Sequence, residues 1–361
     1  MTLKTLVACV CAAMVSIFSA AQAADTSPLS IGVHLKPLPL SARKGSIVDQ
    51  IGDLTYLGGI RIISSERRLG GLSGLIVSRD GSEFVSVSDQ ADWVRGKIFY
   101  ENGRLSGVES LTVGSMLDEQ GKPLIHKKGD AEAVEQVDPS GPFPGHVVVA
   151  FEREHRLWRY DLGEAGFAAR PLDLKIPSAV RALEDNQGIE SLHITSDGEV
   201  IAITEGTYDD QGRTRGWVMR LNKDGLSVDG AQPLFLETWT TFKPTDLTRL
   251  ADGRYLLLQR HFSPRTGPII QLRDLGSELV QGGNTIAGAL LAQLDMGFNI
   301  DNMEGLAARQ TDDGRTLIYV ISDDNFNPLQ RTLLLMFEVK PAPVLEEVKE
   351  AEDGSGAAEA R

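Results

Sequence analysis

A short pattern returns five times along this chain, and a regular return at this spacing restricts the fold to a radial or stacked repeat. Each copy sets a small or acidic residue two positions before an aliphatic one. A turn and then an apolar run ending on an acidic or polar residue follow. The copies open at Ser73-Gly74-Leu75, Glu132-Ala133-Val134, Glu190-Ser191-Leu192, Thr245-Asp246-Leu247 and Glu304-Gly305-Leu306, at intervals of 59, 58, 55 and 59 residues. The turns keep register at Asp80-Gly81, Asp138-Pro139-Ser140-Gly141, Asp197-Gly198, Asp252-Gly253 and Asp313-Gly314. Asp-Gly between apolar runs favours a tight β-hairpin, because Gly tolerates the positive φ of the turn, so these aspartates read as turn residues and not as ligands.

The run after each turn (Phe84 to Val87, Val147 to Phe151, Val200 to Thr204, Tyr255 to Leu258, Leu317 to Ile321) is short and rich in β-branched or aromatic residues, as a strand requires. Two further strands follow in most units, for example Arg156 to Tyr160 then Ala169 to Leu174, or Gly216 to Leu221 then Ala231 to Leu236. Four antiparallel strands per repeat make the blade of a β-propeller, so the fold class is all-β, a single propeller of five blades. The irregular stretch Leu275 to Leu294 leaves room for a sixth. The last unit has three strands, ending at Leu333 to Val339, and Leu54 to Ile63 is expected to supply the fourth and close the ring.

The ends divide the chain into a signal peptide at 1–23, an N-terminal extension at 24–44, the propeller domain at 45–340 and an acidic tail at 341–361. Lys4, the apolar stretch Leu6 to Phe18 and Ala21-Gln22-Ala23 have the charge, length and small-x-small pattern of a secretory signal cleaved after Ala23. The stretch is too short to span a membrane comfortably, so a periplasmic or secreted protein without a membrane anchor is expected. Cys9 and Cys11 leave with the signal, and stability must come from the core, ring closure or bound metal. Loss of Lys4 takes the net charge from −14 to −15, which disfavours nucleic acid and anionic membranes and suits cations. A monomer acting on a small molecule is the simplest expectation, with a protein partner left open.

In a propeller the start of each innermost strand and the end of the second lie on one face of the disc. Those positions pair Ser73 with Asp89, Glu132 with Glu152, Glu190 with Glu205, Thr245 with Gln259 and Glu304 with Asp323, which places seven carboxylates from four blades on one rim. So many like charges call for a counter-charge, and Ca²⁺, with six to eight oxygen ligands, is the simplest. The candidate metal ligands are Glu132, Glu152, Glu190, Glu205, Asp246, Glu304, Asp323 and Asp324. Scarce histidine and absent thiolate argue against zinc or copper. Arg153 and Arg260 fall at the same strand ends and could clamp a phosphate ester, so the candidate catalytic set is Glu190, Glu205, Glu304, Arg153 and Arg260. The competing reading is structural: the acids pair with Arg153, Arg156, Arg260 or Arg331 in a salt-bridge network, and His261 is a structural histidine. The spacing Asp323, Asn325, Asn327 is that of a calcium loop lacking its Gly and final Glu. The chain has no G-x-S-x-G elbow, P-loop or H-E-x-x-H.

Gly71-Leu72-Ser73-Gly74-Leu75, Asp130-Ala131-Glu132, Phe151-Glu152-Arg153, Gly188-Ile189-Glu190-Ser191-Leu192, Pro244-Thr245-Asp246-Leu247, Asn302-Met303-Glu304-Gly305-Leu306 and Ser322-Asp323-Asp324-Asn325-Phe326-Asn327 together resemble the exported bacterial phytase-like domain family, "esterase-like activity of phytase", over Gly58 to Val339. The resemblance implies phosphate-ester or carboxyl-ester hydrolysis on a propeller. The chain departs from it at Gln259-Arg260, where an acid is favoured, and it lacks the Asp-Asp-Pro-Ala segment of propeller phytases. Three readings follow: a calcium-dependent hydrolase of phosphate monoesters or related esters using metal-activated water, a non-catalytic ligand- or protein-binding propeller, and a carboxylesterase or lactonase on a calcium ring.

Overall fold

In the computed structural model, hydrogen bonding sorts the strands into five sheets, antiparallel but for one short pair, each begun by one of the five repeats. The structure describes residues 27–341 apart from 126–127, 224, 238–240, 278, 280–282 and 284. The expected signal peptide and nearly all of the acidic tail lie outside the described residues. Blade 1 runs from the channel outward through Leu72–Val77, Glu83–Ser88, Asp92–Glu101 and Arg104–Ser115. Blade 2 is Ala131–Gln136, His146–Phe151, Arg156–Asp161 and Leu172–Leu174. Blade 3 is Ile189–Ile194, Glu199–Tyr208, Thr214–Leu221 and Val228–Leu236, and blade 4 is Lys243–Arg249, Tyr255–Ser263, Gly267–Asp274 and Ala289–Leu294. The innermost strands touch in cyclic order, the fifth against the first.

Blade 5 closes the ring as its missing strand required. Asn302–Gln310, Thr316–Asp323 and Thr332–Val339 come from the end of the chain, and Leu54–Ile63 pairs antiparallel with the last of them, Leu334 opposite Ile60. His34–Pro37 then adds to the edge of Leu54–Ile63, while Leu29–Ser30 pairs with the outer strand of blade 1. The first described residues therefore straddle the seam between blades 5 and 1. No sixth blade occupies Leu275 to Leu294: among its described residues, Thr285–Ile286 pairs in parallel with the outer strand of blade 3, and Ala289–Leu294 completes blade 4.

The core is divided into wedges between neighbouring blades. Leu256 and Leu258 meet Leu306, Ile318 and Phe337 between blades 4 and 5, and Phe84 and Val94 meet Tyr319 and Leu334 between blades 5 and 1. Between blades 1 and 2, Trp93 lies edge-on to Tyr160 with ring centroids 5.1 Å apart. A buried aromatic or branched side chain removes enough apolar surface to stabilise by about 1.5–3 kcal/mol, so each wedge holds its two blades strongly. The turn aspartates behave as turn residues: Asp80, Asp138, Asp197 and Asp313 accept hydrogen bonds from Ser78, Ser140, Thr195 and Thr311 of their own hairpins.

Candidate metal centre at the channel mouth

Each innermost strand carries a β-bulge at the residue that opens the repeat. In blade 3, Ile189 faces Thr204 and Ser191 faces Ile203, which leaves Glu190 without a partner across the pair. The same break falls at Thr245 between Pro244 and Asp246, at Glu304 between Met303 and Gly305, and at Glu132 between Ala131 and Ala133. In blade 1 it takes in Ser73 and Gly74, between Leu72 and Leu75. A bulge bends the strand and re-aims a side chain, and five in one register point Ser73, Glu132, Glu190, Thr245 and Glu304 at one mouth of the channel. The following residue must be small where blades meet: a Cβ on Gly74 would lie 2.5 Å from Val134 N, and one on Gly305 2.6 Å from the Ser73 carbonyl.

Around the bulges the second strands of blades 1, 2, 3 and 5 run into acids. Carboxylate oxygens of Asp130, Glu132 and Glu152 lie within 4.8 Å of one another. Glu152 Oε1 also accepts the Gly188 N–H at 2.9 Å, which fixes its direction. On the far side Asn302 Nδ2 donates to Glu304 Oε1 at 2.8 Å and to Asp323 Oδ2 at 3.3 Å, and the Asn325 N–H donates to Asp323 Oδ1 at 2.5 Å. Asp89 completes the arc, its Oδ1 buried with no hydrogen-bond partner among the described residues. Gly71 has φ +61°, and a Cβ there would lie 2.1 Å from that oxygen.

Burial and mutual repulsion raise the acids out of their ordinary range. Glu132 and Glu190 are pushed well above it, first by burial and then by their acidic neighbours. Burial also raises Asp130, Glu152 and Glu304, with Arg153 or Arg260 opposing. Asp323 rises to about 7 and Asp89 to about 6, again chiefly by burial.

Three cations ion-pair with this set. Arg260 bridges Glu304, Nε to Oε1 at 2.9 Å, and Glu205, Nη2 to Oε1 at 3.4 Å. Lys243 holds the other oxygen of Glu205 at 2.8 Å, and Arg153 meets Asp130 at 2.5 Å. Arg153 reaches it from a left-handed backbone conformation, φ 60°, which is costly for a side chain this large. Against eight acids (Asp89, Asp130, Glu132, Glu152, Glu190, Glu205, Glu304 and Asp323), the three cations among the described residues leave five carboxyl groups that must either keep their protons or meet a further cation. The donors are all hard oxygens, and Asp89 Oδ1 and Asp130 Oδ2 are buried without a hydrogen-bond partner among the described residues, the second having only its ion pair with Arg153. That set fits a divalent cation such as Ca²⁺.

The structure thus brings Glu132, Glu152, Glu190, Glu205, Glu304, Asp323, Arg153 and Arg260 to one mouth and sets two other candidates apart. Asp246 is buried and clamps blade 4 to blade 5, accepting the N–H groups of Leu247 at 2.8 Å and Leu306 at 2.6 Å. Asp324 shapes its own loop, accepting from Gly71 N, Phe326 N and the Thr332 hydroxyl. Gln259 turns into its blade and donates to Gln271, so Arg260 and Lys243 are what blade 4 presents beside Thr245. Arg331 pairs with Asp301, Arg156 lies over Phe151 and Trp158, and His261 faces the Thr241 carbonyl, all outside the cluster. Asp89 and Asp130 belong to the arc although the sequence-based metal set omits them. The signal for Asp89 was its strand-end register with Glu152 and Asp323, and for Asp130 its place two residues before Glu132.

No curated protein matches the chain. Among solved structures it is similar to an endo-arabinase from Bacteroides thetaiotaomicron VPI-5482 (15% identity, 76% of this chain and 95% of that one, TM-score 0.46). It is also similar to a protein of unknown function from Dyadobacter fermentans DSM 18053 (15% identity, 87% and 98%, TM-score 0.43). Similarity of this degree says nothing of chemistry. No helix among the described residues is long and apolar enough to cross a membrane. The family model described as "Phytase-like: Esterase-like activity of phytase" matches residues 67–326, the span that holds all five bulges and the whole acidic arc, and the chain belongs to this family.

Proposed function

We propose that this chain is an exported, calcium-dependent hydrolase of phosphate monoesters or related small esters, working at the acidic mouth of its channel. The excess of buried carboxylates over cations there carries the reading. A network built only to hold blades in register would be near balance, because an uncompensated buried charge costs several kcal/mol. Asp130, Glu132 and Glu152, with Asp89, Glu190 and Asp323 around them, would hold the ion. When bound, Ca²⁺ would supply Lewis acidity toward an ester oxygen and toward water.

The remaining chemistry falls to the chain itself. Arg260, held between Glu205 and Glu304, and Arg153, at the exposed edge of the arc, present guanidinium groups that suit phosphoryl oxygens. Glu190, without an ion pair among the described residues and raised by burial, would hold or pass a proton. Residues 1–23 support export.

Turnover of p-nitrophenyl phosphate and p-nitrophenyl acetate by chelator-stripped protein, before and after Ca²⁺, tests the proposal. Calcium-dependent cleavage that disappears in E132Q/E152Q is the expected result. Cleavage of the acetate alone would assign a carboxylesterase, and no turnover of either with Ca²⁺ present would overturn the hydrolase reading.

A further inference from the structure

The turn end of the channel carries a different set of side chains. Consecutive blades deliver Glu135, His193, Arg249 and Arg309 there from their innermost strands. His193 Nδ1 meets Glu135 Oε2 at 2.9 Å, and both side chains are largely buried. The imidazole stands edge-on to Tyr255, with ring centroids 5.6 Å apart, and the Arg249 guanidinium lies over the same ring. Arg309 Nε donates to the Tyr319 hydroxyl at 2.9 Å. His193, Arg249 and Arg309 line a cavity of about 240 Å³ together with Thr195, Ala308 and Gln310, and no Asp or Glu lines it.

Neither Arg249 nor Arg309 forms an ion pair among the described residues, although Arg95, Arg213, Arg254 and Arg331 each do. In a chain of net charge −14, two guanidinium groups held by aromatic contacts on a cavity that no acid lines, Arg249 being offset by Asp197 from beyond ion-pair distance, form a recognition element for an anion. The cavity is smaller than the roughly 300–1,000 Å³ typical of sites for larger organic ligands, which points to a small ion. We propose that it binds a tetrahedral oxyanion, inorganic phosphate or a phosphate group, between the two arginines, with His193 oriented toward it by Glu135. The site is independent of the acidic mouth and stands whether or not that mouth binds metal.

Calorimetric titration of inorganic phosphate into the chelator-stripped protein, with acetate titrated alongside, tests this. Saturable phosphate binding is expected in the wild type and unchanged in E132Q/E152Q. It should weaken about tenfold or more in R249Q/R309Q, because a hydrogen bond to a charged group contributes about 1.5–3 kcal/mol. Where loss of the arginines disturbs folding, A308E, which sets a carboxylate in the cavity wall, carries the test and should weaken binding comparably. Absence of phosphate binding in the wild type, acetate binding as tight as phosphate, or binding abolished in E132Q/E152Q and kept in R249Q/R309Q and A308E would each overturn the proposal.

Discussion

Replacing Arg260 with Met keeps the length of the side chain and removes the charge shared by Glu205 and Glu304. Glu205 retains Lys243 at 2.8 Å, so the loss falls mainly on Glu304, whose side chain is 9% exposed and keeps only the Asn302 amide. Breaking one side of a buried pair costs about 3–5 kcal/mol, and because Arg260 is itself 26% exposed the lower end, about 3 kcal/mol, applies. With an unfolding entropy near 2.1 cal/mol/K per residue, that lowers Tm by roughly 4–5 °C for a chain of this size. Burial already raises Glu304 above its ordinary value, so on acidification the carboxyl takes up its own proton and the deficit should shrink. R260K, a point charge without the fork, should fall between the two. Differential scanning calorimetry of stripped protein at about pH 7.5 and about pH 5 reads both effects. An R260M protein as stable as wild type near neutrality, or a deficit that does not shrink in acid, would refute the electrostatic reasoning.

The folded carboxyls of Asp323, raised from 3.8 to about 7, and Asp89, raised to about 6, bind protons that the unfolded chain has released. Their contribution to stability is complete below the unfolded value of 3.8 and is lost by the time pH has risen through 6 to 7, so Tm of stripped protein should fall from pH 3.8 to about 7 and level off above; D89N/D323N should flatten the fall, and an unchanged slope would contradict it. G305A drives a Cβ to 2.6 Å from the Ser73 carbonyl across the seam of blades 5 and 1, and urea unfolding should show a loss of about 1–3 kcal/mol. A chain beginning at residue 45 loses the edge strands Leu29–Ser30 and His34–Pro37 and should unfold cooperatively at a lower temperature. One beginning at residue 65 also loses buried Leu54, Tyr56, Ile60 and Ile62, and calorimetry should show no cooperative transition.

The blades were legible because their signals are local. Asp-Gly turns and short apolar runs fix hairpins over a few residues, and the missing fourth strand of the last repeat pointed back to Leu54 to Ile63. The acidic rim was legible for a geometric reason, since strand ends in the same register of each repeat share a face. What the sequence could not show depends on counting residues across a strand pair. A bulge is two residues against one, so the breaks at Glu132, Glu190, Thr245 and Glu304 emerge only from the pairing register. For the same reason Asp246, one residue beyond a bulge, read as a ligand, whereas its carboxylate joins two blades through backbone N–H groups. Which acid Arg260 would choose lay beyond sequence as well, because its partners come from blades 3 and 5.

The acidic mouth is proposed to hold a divalent cation, and a calorimetric titration of Ca²⁺ into chelator-stripped protein, with Tm followed in parallel, reads that binding without any assumption about the substrate. Saturable binding with proton release is expected, since ligands raised by burial must lose their protons. Stabilisation should reach about 2.7 kcal/mol at a hundredfold excess over Kd, and both signals should vanish in E132Q/E152Q. No heat and no change in Tm, or binding undiminished in that variant, would contradict the claim.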